Sequence, residues 1–126
     1  MQELKYSKDH EWVKVEGDNA IVGITDFAQK QLTDIVFIEL PEIGKRATAS
    51  TPMAVVESVK SVSDVFAPVS GEIIDVNSKL QDNPEIINKD PYNTGWIAKI
   101  RMENKNELDD LMDSESYKKL TKSESH

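Results

Sequence analysis

The densest chemistry in the chain lies in Glu57-Ser58-Val59-Lys60-Ser61-Val62-Ser63-Asp64. The stretch is nearly a mirror about Lys60, with Val55-Val56 before it and Val65-Phe66 after it. A lysine midway between two short apolar strands stands at a hairpin tip. Its amine is then exposed on a stiff support, which makes it an accessible acylation site. Lysine in a β-turn is ordinarily only a solvated turn residue, and the local symmetry is what sets this one apart. Schiff-base chemistry needs a desolvated amine of lowered pKa, and a polar tip between Glu57 and Asp64 supplies the reverse. Glu57 with Asp64, or Glu11 with His10, could serve as the acid–base pair of a hydrolase. No oxyanion or metal constellation accompanies either pair.

The remaining composition narrows the field. The chain has 126 residues, with 15 basic against 23 acidic side chains and a net charge of -8. That field has the wrong sign for duplex DNA or an anionic membrane. With no cysteine, the chain offers no thiolate nucleophile, disulfide or thiolate metal site of its own. Sulfur chemistry would have to arrive on an attached group. Two histidines, one of them the last residue, leave little for a metal site or a Ser-His-Asp triad. No apolar run approaches 18 residues, and the charged start MQELKYSKDHEW lacks a signal-peptide core. A bacterial cytoplasmic protein is the expectation, as one domain over residues 1–126.

The elements that must position Lys60 read mostly as strands. Glu11 to Val15 alternates polar and apolar, Glu16 to Asn19 is turn chemistry, and Ala20 to Ile24 returns as the second arm of a hairpin. Thr25 can cap a short helix over Asp26 to Leu32. Further strands are expected at Asp34 to Leu40, Met53 to Val59, Val62 to Phe66, Glu72 to Val76 and Trp96 to Ile100. Ser78 to Pro84 reads as loop, with a helical turn from Pro84 through Ile87. Leu108, Leu111 and Met112 recur at helical spacing from about Asn106, and Tyr117 with Leu120 continues a second segment. Thr121 to His126 is expected to fray. Trp12, Phe37, Phe66 and Trp96 are expected in the core. Gly44 and Gly71 are expected at turns needing unusual backbone angles. The pattern is mainly β, a sandwich or flattened barrel with short helices and a helical tail.

ESVKSVSD resembles the lipoylation motif of the glycine cleavage system H-protein family. The similarity extends through DHEWVKVEGDNAIVGITDFAQKQLTDIVFIELPEIG at 9–44, PVSGEIIDVN at 68–77 and INKDPYNTGWIAKI at 87–100. The resemblance implies a lipoyl-domain fold of two small antiparallel sheets, with lipoate in amide linkage on Lys60. It implies a monomeric shuttle and not an enzyme. Glycine decarboxylase, using pyridoxal phosphate, would load an aminomethyl group on the lipoyl sulfur. Aminomethyltransferase would pass the one-carbon unit to tetrahydrofolate, and dihydrolipoyl dehydrogenase would reoxidise the dithiol. Glu57 would guide the lipoyl-attaching enzyme or else stabilise the turn, and Ser58 and Ser61 would satisfy the turn around the arm's root. In ATASTPMAVV, residues 47–56, relatives often carry glycines where Ser50, Pro52 and Ala54 stand.

An aminomethyl group on sulfur survives only while its amine stays protonated, because the free lone pair expels the thiolate. A nearby carboxylate favours the charged amine, and charge-assisted hydrogen bonds orient it. The resemblance places that holding cleft at Asp9, Glu11 and Asp64, although relatives often carry a hydroxyl residue at the first position. A relay of lipoyl or octanoyl groups to other lipoyl domains is the alternative role. Biotinyl domains flank their lysine with methionines, and acyltransferase lipoyl domains show Asp-Lys. Val59-Lys60-Ser61 fits neither.

Overall fold

The computed structural model describes residues 4–124. Among the described residues nine strands form two antiparallel sheets. In chain order they are β1 (Lys5–Tyr6), β2 (Glu11–Glu16), β3 (Asn19–Ile24), β4 (Ile35–Glu39), β5 (Arg46–Ala47), β6 (Pro52–Ser58), β7 (Val62–Phe66), β8 (Gly71–Val76) and β9 (Ala98–Met102). The larger sheet has six strands in the order β1-β2-β3-β9-β8-β5, and the smaller has three in the order β4-β6-β7. The two sheets do not close into a barrel, and the expected mainly β architecture of two antiparallel sheets with short helices and a helical tail is what the chain adopts.

The β2–β3 hairpin turns at Gly17-Asp18, with Glu16 opposite Asn19 and Gly17 at φ 62°. A left-handed angle at this position suits glycine. Thr25 caps α1 (Asp26–Leu32), its hydroxyl accepting from Ala28 N–H at 3.2 Å. The polar segment expected as loop instead holds α2 (Lys79–Asp82), followed by α3 (Ile86–Lys89). Each is a single turn that buries one apolar side chain, Leu80 and Ile87 respectively. The helix expected from Asn106 is a 3₁₀ turn at Lys105–Asp110. After it comes α4 (Ser114–Glu124), which runs through most of the segment expected to fray. Ser125 and His126 lie outside the described residues.

Two apolar cores result. One packs Ile35, Ile38, Ala54, Val56 and Val65 of the small sheet against Ile24, Leu80, Ile87 and Ile97. The other joins Val13, Val22, Ile73 and Ile100 of the large sheet with Ala67 and Val69. Trp12 is buried as expected, and its indole N–H donates to the Pro91 carbonyl at 2.9 Å. Phe37 departs from expectation and is 52% exposed. A register shift between Ile35 and Phe37 breaks the alternation of β4, so Val36 and Phe37 both face outward. Phe66 and Trp96 are only partly buried.

The glycine expectations divide. Gly44 has φ 92°. Gly71 is extended and lies in β8, where an added Cβ would come within 1.9 Å of the Arg101 carbonyl oxygen. Its requirement is close backbone approach, not a turn. Ser50 adopts φ 67°, the left-handed conformation that glycine meets more easily.

Candidate functional site

Lys60 stands exposed at the tip of the β6–β7 hairpin, in the three-residue connection Val59-Lys60-Ser61. Ser58, itself buried, organises the turn. Its N–H donates to Ser61 O at 2.8 Å, and its hydroxyl accepts from the N–H groups of Lys60 at 3.3 Å and Ser61 at 3.1 Å. Val59 N–H donates to Asp34 O at 3.0 Å, tying the tip to the start of β4. The amine is therefore presented on a backbone closed by several hydrogen bonds, and none of these uses the exposed Lys60 side chain. Ser58 serves the turn through its side chain, and Ser61 does so through its backbone.

The flanks of Lys60 are apolar. Val59 is 66% exposed and Val62 64% exposed. Phe37, Glu57 and Val62 stand side by side across β4, β6 and β7 on the outer face of the small sheet. Glu57 is thus framed by two exposed apolar groups beside the root of the lysine. An aromatic residue in an apolar strand reads as core, so the sequence does not mark Phe37 as a surface residue.

Asp9, Glu11 and Asp64 meet in one cleft of about 290 Å³ beside the edge strand β7, together with Ala28 and Leu32 of α1 and Phe66. Asp64 lies four residues along from Lys60, about 13 Å at strand rise. Asp9 also borders a neighbouring hollow of about 370 Å³ that reaches toward Glu107 and Met112. Glu11 differs from the other two. The alternation of β2 suggested a solvent-facing carboxylate, but Glu11, Trp12 and Val13 are all buried, and Glu11 is only 1% exposed.

Both Glu11 oxygens are engaged. Oε1 accepts from the Ser7 hydroxyl in a short hydrogen bond, and Oε2 accepts from Phe66 N–H at 3.1 Å. Glu11 N–H donates back to Ser7 Oγ at 3.1 Å. Glu11 thereby clamps the turn after β1 to the edge of the small sheet, supplying an acceptor for an edge N–H. Burial pushes its carboxyl up to about 7, with Asp9 adding to the rise and the bonds from Ser7 and Phe66 opposing it. The sequence gives no signal for Ser7, since a lone serine four residues before a glutamate carries no pattern.

His10 does not pair with Glu11. It precedes β2 with φ 70°, and its ring bonds Tyr117 and Glu124 of α4. The hydrolase pair of Glu11 with His10 is therefore not assembled. Among the described residues, no group of three or more His, Asp or Glu side chains could hold a metal ion. Nor is any helix there long and apolar enough to cross a membrane.

An exposed lysine on a braced hairpin, carried by two packed antiparallel sheets, defines a lipoyl-domain-like carrier fold. The profile of the glycine cleavage H-protein family matches residues 4–124. The glycine cleavage system H protein of Halothermothrix orenii is 54% identical over 116 residues, covering 92% of this chain and 91% of that protein. The protein of the same name from Symbiobacterium thermophilum is 54% identical, covering 95% and 94%. The crystal structure of a glycine cleavage system H protein from Mycobacterium marinum superposes with a TM-score of 0.83 at 36% identity, covering 93% of this chain and 94% of that one. The chain belongs to the glycine cleavage H-protein family. Its role is that of a lipoyl-bearing shuttle in the glycine cleavage system, and the match does not favour the relay alternative.

Proposed function

We propose that Lys60 is the lipoyl attachment point and that Asp9, Glu11 and Asp64 line the cleft that holds the aminomethyl cargo. The observation that carries this reading is the exposed primary amine of Lys60, on a turn closed by Ser58, within a chain of this family. The residues fit the group. An exposed amine can form the amide, and a cleft mixing Leu32, Ala28 and Phe66 with carboxylates suits an aliphatic arm that ends in an ammonium. Lipoate, when attached, supplies the sulfur that takes the aminomethyl group and the dithiol that is later reoxidised.

The chain's own residues bind and protect. The cleft carboxylates keep the cargo amine protonated, and the apolar wall excludes water that would otherwise hydrolyse it. The chain performs none of the reactions itself. Its partners are glycine decarboxylase, aminomethyltransferase, dihydrolipoyl dehydrogenase and the lipoyl-attaching enzymes, with Glu57 guiding the last of these. It acts in the cytoplasm as a single-domain monomer.

Intact mass and peptide mapping of protein from its native cell test the attachment. A lipoyl adduct on Lys60 is the expected result, and a bare Lys60 in a cell that makes lipoate rejects it. Asp64→Asn tests the cleft. It should shorten the lifetime of the loaded form, read as formaldehyde release, by about threefold, the value of one partly exposed ion pair. An unchanged release rate would remove Asp64 from the cleft's chemistry.

A further inference from the structure

His10 is the one histidine among the described residues, and the carrier reading gives it no role. Its backbone is unusual for a non-glycine residue, with φ 70°. The turn is fixed on both sides: His10 N–H donates to Ser7 O at 3.1 Å, and Thr25 N–H donates to His10 O at 3.0 Å. The ring lies against Phe27 of α1, with centroids 4.8 Å apart, and meets Tyr117 of α4 edge-on at 5.6 Å. Its Nδ1 is 2.8 Å from the Tyr117 hydroxyl, which is itself 2.6 Å from Thr25 Oγ1. Its Nε2 is 2.7 Å from Glu124 Oε2. The His10 side chain is only 13% exposed, and the Glu124 side chain is 40% exposed.

Glu124 lines the same cleft as Asp9, Glu11 and Asp64. Its other oxygen, Oε1, has no hydrogen-bond partner among the described residues. The middle of α4 is already anchored without it, because Tyr117 is buried and stacks on Tyr6 with ring centroids 4.5 Å apart and planes within 5°. Glu124 is seven residues further along, about two turns. There the His10 bond places a carboxylate more than it places the helix.

We propose that Glu124 is a fourth carboxylate of the cargo cleft and that His10 is the positioning residue that aims it. The ring engages Oε2 and leaves Oε1 to accept an N–H from the cargo ammonium. The last turn of α4 thereby becomes a wall of the cleft. This rests on the reading of that cleft as the cargo site.

The test uses the full chain, unmodified and loaded, as wild type, Glu124→Gln, Glu124→Asp and His10→Asn. Asparagine tolerates the left-handed backbone angle, so it removes the ring and spares the turn. In the loaded protein, Glu124→Gln and His10→Asn should each raise formaldehyde release about threefold. The double variant should do no worse than either, since both act through one carboxylate, and Glu124→Asp should restore part of the loss. In the unmodified protein, methylammonium chloride serves as the probe. Amide shifts at Asp64 and residue 124 should move in the wild type and weaken together in Glu124→Gln. Melting temperatures of the unmodified Glu124 variants should stay near that of the wild type, while His10→Asn lowers it by the packing its ring loses against Phe27 and Tyr117. Wild-type release and wild-type shifts in Glu124→Gln overturn the proposal, provided Asp64→Asn still accelerates release. If Asp64→Asn is silent as well, the cleft reading itself has failed. A loss in Glu124→Gln with none in His10→Asn overturns the positioning role of the ring. Additive losses overturn the shared route.

Discussion

Lys60→Arg abolishes lipoylation and reduces glycine-dependent exchange to background, while folding stability stays within about 0.5 kcal/mol of the wild type. Amide formation requires a neutral amine as nucleophile. Lysine reaches that state in an enzyme's active site, and the guanidinium of arginine does not. The substitution keeps the positive charge, so the local field between Glu57 and Asp64 is preserved. The turn is equally insulated, because its hydrogen bonds come from the backbone and from Ser58 and none uses the Lys60 side chain. The expected pattern is thus a folded, unmodified and inert chain. Intact mass, exchange and a thermal melt on one preparation check it. Modification or exchange retained in Lys60→Arg would move the attachment to another lysine.

What the sequence revealed of this site follows from how local each signal is. The hairpin around Lys60 is short, its apolar flanks adjoin it, and Ser58 acts three residues from Ser61. Thr25 could be read as a helix cap for the same reason. Phe37 could not be placed, because the register shift in β4 is a property of its pairing with β6 and leaves no mark on composition. Glu11 looked like the polar half of an alternating strand. It is buried where the edge of the small sheet, distant in sequence, meets β2, Phe66 being 55 residues away. From the sequence Glu124 belongs to an end expected to fray, since nothing in the last turn announces a histidine more than a hundred residues upstream. Leu80 is a single apolar residue in polar surroundings, so the one-turn helix that buries it produces no periodic pattern, whereas Pro84 signals the helical turn that reaches Ile87.

Raising pH through about 7 should destabilise the unmodified chain through Glu11, and Glu11→Gln should remove that dependence. In the unfolded chain this carboxyl titrates near 4.5, whereas burial lifts it to about 7 in the fold. Between those values the folded state holds a proton that the unfolded state has released. A raised folded pKa contributes stability that is complete below about 4.5. That stability is lost as pH rises and is gone above about 7. The interval of roughly 2.5 units corresponds to about 3 kcal/mol, a large share of the stability of a domain this size. Glutamine fits the same pocket: its carbonyl accepts from Phe66 N–H, and its amide donates to Ser7 Oγ. Melting temperature between pH 5 and 8.5 should therefore fall for the wild type and lie nearly flat for Glu11→Gln, apart from the titration both share. Identical slopes would mean that Glu11 is ionised throughout and that its two hydrogen bonds outweigh burial. The same balance links the residue to cargo. An ammonium entering the cleft brings an opposite charge beside Glu11 and pulls its pKa back down. Near neutral pH, loading then releases a fraction of a proton, and the charge on Glu11 that costs stability in the empty chain is offset when cargo is present.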